Sequence, residues 1–258
     1  MTTWYEHTFG REYLSLYRHR DDAEAAEDVA HIVRLIRPPR HRPLLDLCCG
    51  AGRHLVAFRR AGYDHLTGLD LSEDLLAAAR TRLHTEGMTD IRLIRADMRA
   101  IPGDGAYATI VSLFTSFGYF EDDAQDARVL HAVCRALRPG GTFLLDTLNR
   151  DAIVGSLVPS EERQLGTKLL RVRRRISSDG RRVEKLTRIS QPGSPETVYR
   201  ESVRMYTCDE LRRMLSDAQF ANVRCYGALD GRVYTPDAPR LVVSAARKET
   251  ECNASTRH

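Results

Sequence analysis

The sequence has no apolar run long enough to cross a bilayer. The longest candidate, residues 106–120 (AYATIVSLFTSFGYF), is broken by Thr109, Ser112, Thr115, Ser116 and Gly118. It stops short of the roughly 20 apolar residues that a spanning helix needs. The first residues, MTTWYEHTFGRE, have neither a basic start nor an apolar core. No secretory signal is read from them, and a cytoplasmic location is expected. The six cysteines, at 48, 49, 134, 208, 225 and 252, form no C-x-x-C pair. That spacing suits reduced thiols, buried as small apolar residues in a reducing compartment. Internal repeats and low-complexity blocks are also absent.

What is present is ordinary for a globular chain. The 258 residues are 42% hydrophobic and 29% charged, which excludes wholesale disorder and fits one large α/β domain with additions. The net charge of +4 conceals a local bias. Residues 168–188 hold nine Lys or Arg against two acids, so a +7 element sits in a body of −3. Such an element reads either as an anion-binding surface or as the solvent face of an antiparallel sheet. The alternation of Leu170, Val172 and Ile176 with Arg171, Arg173 and Arg175 favours the sheet, although Arg174 interrupts the apolar face.

In the first 20 residues Phe9, Tyr13 and Tyr17 recur every four positions, as on one helical face. From Asp21 a helix is predicted, acidic at its start and basic toward its end, until Pro38-Pro39 stops it. Strands and helices then alternate: strand 43–48, helix 53–61, strand 65–70, helix 73–85, strands 91–96 and 107–114, helix 122–137, strand 142–147. Ser72 stands where an N-cap is wanted and Gly87 where the same helix must stop. Beyond Asn149 strand-like pieces at 167–176, 181–190 and 196–206 turn at Ser178-Asp179-Gly180 and Gln191-Pro192-Gly193, which reads as an antiparallel insertion. A helix from Asp209 and strands at 222–228 and 240–246 resume the α/β pattern. The expected organisation is a helical lid (1–40), a nucleoside-binding core (41–150), the antiparallel insertion (151–206), completion of the core (207–247) and a tail (248–258).

The central motif is LLDLCCGAGRH, residues 44–54. A buried strand enters a turn in which Gly50 and Gly52 let backbone N–H groups approach a ligand. A dinucleotide fingerprint would put a third glycine where Leu55 stands, and the P-loop pattern GxxxxGK followed by Ser or Thr is missing. Phosphate ligands are therefore disfavoured. Asp70 ends the second strand, placed to accept hydrogen bonds from ribose hydroxyls, and Asp97 follows the third. Asp46, Asp70 and Asp97 can thus surround one nucleoside. Asp46 either touches it or holds the loop through backbone hydrogen bonds.

Over residues 40–150 these motifs resemble the class I S-adenosylmethionine-dependent methyltransferases: DLCCGAG, LDLS (69–72), ADM (96–98), and TIVSLFTSFGYF followed by a helix and RPGG. Cys48 replaces the usual first glycine. The resemblance implies a Rossmann-like, seven-stranded, mostly parallel sheet that binds S-adenosylmethionine. Cys48, Gly50 and Gly52 would meet the amino-acid end, Asp70 the ribose, Asp97 the adenine amino group and Met98 the adenine face, with Tyr13, Asp46, Leu71 and Leu113 as further cofactor contacts. No metal is implied.

For methyl transfer the chain must place a nucleophile, exclude water and keep the acceptor unprotonated. Phe117 is the expected wall nearest the methyl, where an aromatic ring can steer a cation, with Tyr17 as its catalytic partner. Phe9, Tyr13, Tyr17 and Asn149 are the expected acceptor contacts, and His7 an alternative proton acceptor. His54 reads as a helix-start residue and Trp4 as lid packing. The Asp/Asn-Pro-Pro-aromatic motif of nucleic-acid amino methyltransferases is replaced here by SLFT, which argues against a nucleic-acid partner. The FGxxYLxLY prefix, DLCCGAGRH, FTSFGYF and the insertion resemble small-molecule N-methyltransferases, and within them the lincosamide-tailoring enzymes that methylate a proline-like ring nitrogen. O-methyl transfer, RNA methylation through the arginines of 168–188, and a silent binding subunit are the alternatives. A homo-oligomer is expected from the exposed strands of the insertion.

Overall fold

The structure, a computed structural model, describes Trp4, Tyr5 and residues 22–249. The helical prefix gives α1 (Asp22–Ile36), whose Ala25, Val29 and Ile32 are buried at spacings of four and three. They pack with Leu44, Leu55, Val56 and Phe58 in the core. This half of the expected lid is therefore a helix of the body, fixed by its own apolar stripe. Phe9, Tyr13, Tyr17 and His7 lie outside the described residues.

The core follows as β1 (Leu44–Leu47), α2 (Arg53–Arg60), β2 (Leu66–Asp70), α3 (Glu73–Thr85), β3 (Arg92–Arg95), β4 (Tyr107–Ser112), α4 (Asp123–Ala136) and β5 (Leu137–Leu148). Every residue of β1, β2 and β4 is buried, as strands covered on both faces require. Ser72 caps α3 by accepting from the Leu75 N–H. β5 starts earlier than the sequence indicates: Leu137 already pairs with Tyr107, before a register shift.

Two elements carry no sequence signal. The helix α5 (Arg150–Ser156) buries none of its residues, and β6 (Ser160–Leu165) is exposed along its whole length, so neither shows apolar periodicity. β6 joins β7 (Lys168–Ile176), β8 (Arg182–Ser190) and β9 (Thr197–Arg204) in a separate antiparallel sheet. The chain then returns to the core as α6 (Cys208–Asp217), β10 (Phe220–Tyr226) and β11 (Arg240–Arg247). Thr207 and Glu210 form a capping box at the start of α6.

The main sheet has the order β10-β11-β5-β4-β1-β2-β3. β1 to β5 pair in parallel and β11 runs antiparallel to both neighbours. The order changes direction between β1 and β4, which opens a crevice at the carboxyl ends of the strands, where ligands of such sheets bind. Cys208 and Cys225 are joined as a disulfide, which corrects the reading of every cysteine as a free thiol. The bond ties α6 to β10, a proximity across 17 residues that spacing does not reveal. Among the described residues no helix is long and apolar enough to cross a membrane.

Candidate functional site

The register of β1 on β2 sets Asp46 beside Gly68 and Leu47 beside Leu69. The chain leaving β1 therefore turns directly over the tip of β2. Cys48 (φ +62°), Gly50 (φ +54°) and Gly52 (φ +76°) are all left-handed. A Cβ added at Gly50 would meet none of the described residues within 4 Å, so among them the turn presents bare backbone. Its N–H donates to Asp70 Oδ2 (2.9 Å), and the Ser72 N–H donates to Asp70 Oδ1 (2.9 Å). The Leu71 N–H also favours the ionised carboxylate, whose oxygens can each accept more than one hydrogen bond. Burial pushes the Asp70 carboxyl up, and the N–H groups of Ser72 and Gly50 oppose it.

Asp46 lies deeper. Burial raises its carboxyl to about 6, the Asp70 charge adds to this, and His54 and Arg53 counter it. Its Oδ2 is buried with no hydrogen-bond partner among the described residues. An orphaned carboxylate oxygen of this kind is costly unless a ligand donor completes it. Asp97 behaves differently. Burial would raise its carboxyl, but hydrogen bonds from the Arg99 side chain and N–H outweigh it and hold it below the usual carboxylate range. Both Asp97 oxygens accept from Arg99. Cys48 Sγ lies 3.8 Å from Met98 Sδ, which joins the first and third turns. Burial, reinforced by Asp70, Asp46 and Asp97, pushes the Cys48 thiol up, so it is not a thiolate nucleophile. Leu71 is half-buried, Leu113 and Met98 are buried, and His54 pairs with Asp28 of α1 at 3.1 Å.

Phe117 and Asn149, the described residues expected on the acceptor side, are both buried. Phe117 is 1% exposed and packs on Tyr206 at 5.5 Å between ring centroids. Its ring belongs to the core, and the half-exposed residues of the β4 turn are Phe114, Thr115 and Ser116. Asn149 is also withdrawn. Its Nδ2 donates to the carbonyls of Thr235, Pro236 and Ala238, and its Oδ1 accepts from Asp151 N and Tyr234 Oη. Through these contacts Asn149 pins the 235–238 loop and caps α5.

The basic segment is paired across its own sheet. Arg171 meets Glu162, Arg174 meets Glu161, Arg175 meets Glu184, Lys185 meets Glu201 and Arg188 meets Glu196, while Arg181 reaches Asp123 of α4. Arg182 donates to the carbonyls of Phe120 (2.9 Å) and Gly118 (3.3 Å), and the Arg204 N–H donates to Gly118 O at 2.7 Å. Gly118 has φ +86°, and a Cβ there would lie 2.5 Å from Arg204 O. The insertion is thus fastened to the loop after β4 at a position only glycine can occupy.

The residues fit an adenosine carrying an amino acid. Asp70 offers two acceptor oxygens to a ribose, Gly50 offers an uncovered backbone cradle, and the orphaned Asp46 Oδ2 suits a donor such as an ammonium. Among the described residues no group of three or more His, Cys, Asp or Glu is placed to hold a metal ion.

Strand order, glycine turn and acids together define the class I S-adenosylmethionine-dependent methyltransferase fold, with an added antiparallel sheet. Residues 44–141 match the family described as a methyltransferase domain. It is 33% identical over 141 residues to the dTDP-3-amino-3,4,6-trideoxy-alpha-D-glucopyranose N,N-dimethyltransferase of Streptomyces venezuelae, covering 55% of this chain and 56% of that one. It is 33% identical over 112 residues to the ubiquinone biosynthesis O-methyltransferase of Hydrogenovibrio crunogenus, covering 43% and 44%. The matched region thus spans about half the length of these curated relatives. The CcbJ methyltransferase from Streptomyces caelestis superimposes with a TM-score of 0.80 at 17% identity, covering 95% of this chain and 99% of that one. Other matched structures of this fold hold S-adenosylmethionine or S-adenosylhomocysteine.

Proposed function

We propose that the chain transfers a methyl group from S-adenosylmethionine to an amine nitrogen of a small molecule in antibiotic or related specialised metabolism. The observation that carries the reading is the Gly50–Asp70 unit beside the orphaned Asp46, which suits a phosphate-free nucleoside bearing an amino acid. The relative that N,N-dimethylates a nucleotide-linked amino sugar supports nitrogen as the acceptor atom. Held by Asp70 and the turn after β1, S-adenosylmethionine would supply an activated methyl to the amine nitrogen and leave as S-adenosylhomocysteine, with the amine proton passing to water. The chain's own part is to hold the ribose through Asp70, set the methionine end on the turn after β1, and keep water from the crevice.

Cross-strand pairing of the arginines supports a small acceptor over RNA. Self-association through the four-stranded sheet belongs to the proposal, supported by its open edges β6 and β9. Light scattering that returned a single-chain mass would overturn that part. The test of function is incubation with methyl-labelled S-adenosylmethionine and a panel of nucleotide-linked amino sugars, proline-like secondary amines and phenols. Transfer to an amine supports the proposal. Transfer confined to phenols establishes the O-methyl reading, which the ubiquinone-pathway relative favours. A protein that binds the nucleoside and transfers nothing is a silent subunit.

A further inference from the structure

Two successive residues at the tip of β4, Phe114 and Thr115, have φ of +62° and +65°. Neither is glycine, and Thr115 is β-branched. Such a conformation costs on the order of 1–3 kcal/mol per residue and persists only where its surroundings enforce it. The enforcement comes from Asp146 of β5 and Arg240 of β11. Asp146 Oδ2 accepts from the Phe114 N–H (2.9 Å), and the Asp146 carbonyl accepts from the Thr115 N–H (3.0 Å). Arg240 donates from Nε to Asp146 Oδ1 (2.7 Å) and from Nη2 to Thr115 Oγ1 (2.8 Å).

The clamp joins the chain after β4 to β5 and β11, all on one side of the crevice. β11 pairs with β5 so that Arg240 stands opposite Leu148, and its guanidinium returns along the strand to Asp146. The Asp146 side chain is 6% exposed and has the Arg240 guanidinium as its ion-pair partner. The Phe114 ring has the Arg53 guanidinium 5.1 Å from its centroid and that of Arg240 at 5.9 Å. Arg53 opens α2 directly after the glycine turn. The strained pair therefore stands between the cofactor-side turn and the last strand, with the half-exposed side chains 114–116 at the crevice.

We propose that Asp146 and Arg240 are positioning residues that hold the Phe114–Thr115 turn left-handed, so that residues 114–116 form the acceptor's side of the methyl-transfer site. The inference rests on the methyl-transfer reading above. A turn that only connected two elements would relax on losing the clamp with no consequence for transfer. One that shapes the acceptor side loses acceptor recognition while the nucleoside, held by Gly50 and Asp70, stays bound.

The test uses Arg240→Gln, Asp146→Asn and the conservative Arg240→Lys in the full chain. Amide exchange of the peptide spanning 113–120 is measured without ligand, S-adenosylhomocysteine affinity by calorimetry, and KM and kcat with an amine that the wild type methylates. In Arg240→Gln, which loses the two charge-assisted hydrogen bonds to Asp146 and Thr115, exchange in that peptide is expected to quicken at least about tenfold, while β1 and β2 stay protected. S-adenosylhomocysteine affinity should remain within about threefold and acceptor KM rise about tenfold, with Arg240→Lys between. Unchanged exchange overturns the clamp. Nucleoside affinity that falls in step with acceptor recognition overturns its assignment to the acceptor side. If Asp146→Asn does not fold, the two Arg240 variants carry the same readouts. A wild type that methylates nothing fails the functional reading before any variant is made; variants matching an active wild type fail this proposal alone.

Discussion

The backbone N–H of Gly50 donates to Asp70 Oδ2 over 2.9 Å, so the turn after β1 and the tip of β2 form one unit. Removing the carboxylate takes away both the ribose acceptor and the group that orders the turn. Asp70→Ala should weaken S-adenosylhomocysteine binding at least about a hundredfold, the loss of two charge-assisted hydrogen bonds. Calorimetry checks this, and unaltered binding would remove the nucleoside site.

Phe117 is buried in the core cluster. Packed on Tyr206, its truncation to alanine should cost about 3–5 kcal/mol in urea unfolding, as for other large core aromatics. Nucleoside affinity in the protein that remains folded should stay unchanged. A stable Phe117→Ala variant that binds nucleoside but no longer turns over would return the ring to the catalytic site.

Cys48 holds φ +62° where the family's usual residue is glycine. Cys48→Gly should relieve that strain and raise unfolding free energy by about 1 kcal/mol, with nucleoside binding retained. Denaturant titration gives the sign.

Asp126 of α4 is buried and accepts from Tyr206 Oη at 2.8 Å, while its Oδ1 has no partner among the described residues. Burial pushes its carboxyl up to about 7 from 3.8, with Tyr206 and Arg182 lowering it and Asp123 raising it. The folded state therefore binds the proton more tightly than the unfolded chain. That stabilisation is complete below the unfolded value and is lost as pH rises through the folded one. Asp126→Asn should flatten the dependence of Tm on pH across this window and exceed the wild type in stability above it. Equal slopes for both proteins would contradict the assignment.

Seven of the nine basic side chains between 168 and 188 are committed to carboxylates or carbonyls. The protein should therefore not be retained on RNA at low salt. Binding whose affinity falls steeply with salt would reopen that function.

The nucleoside half of the site was legible because its chemistry is local. A four-residue buried strand, a glycine turn and acids at successive strand ends leave a pattern in adjacent residues, and Ser72 marks the start of α3. The acceptor half is not local. Arg240 is 94 positions from Asp146, and a left-handed phenylalanine or threonine looks like any other in a sequence. The packing of Phe117 on Tyr206 and the hydrogen bonds of Asn149 to the 235–238 loop join residues far apart in the chain, which position alone does not reveal. β6 was invisible because a strand exposed on both faces has no alternation, and its pairing partners are acids whose role shows only beside the arginines of β7.

The fastening at Gly118 bears on how such proteins could be recombined. Because Arg182 and the Arg204 amide both end on one carbonyl of the body, the antiparallel sheet is not an interchangeable cassette. A chimera that imports another protein's sheet must bring a matching loop with it, or the graft will hang by its two strand ends.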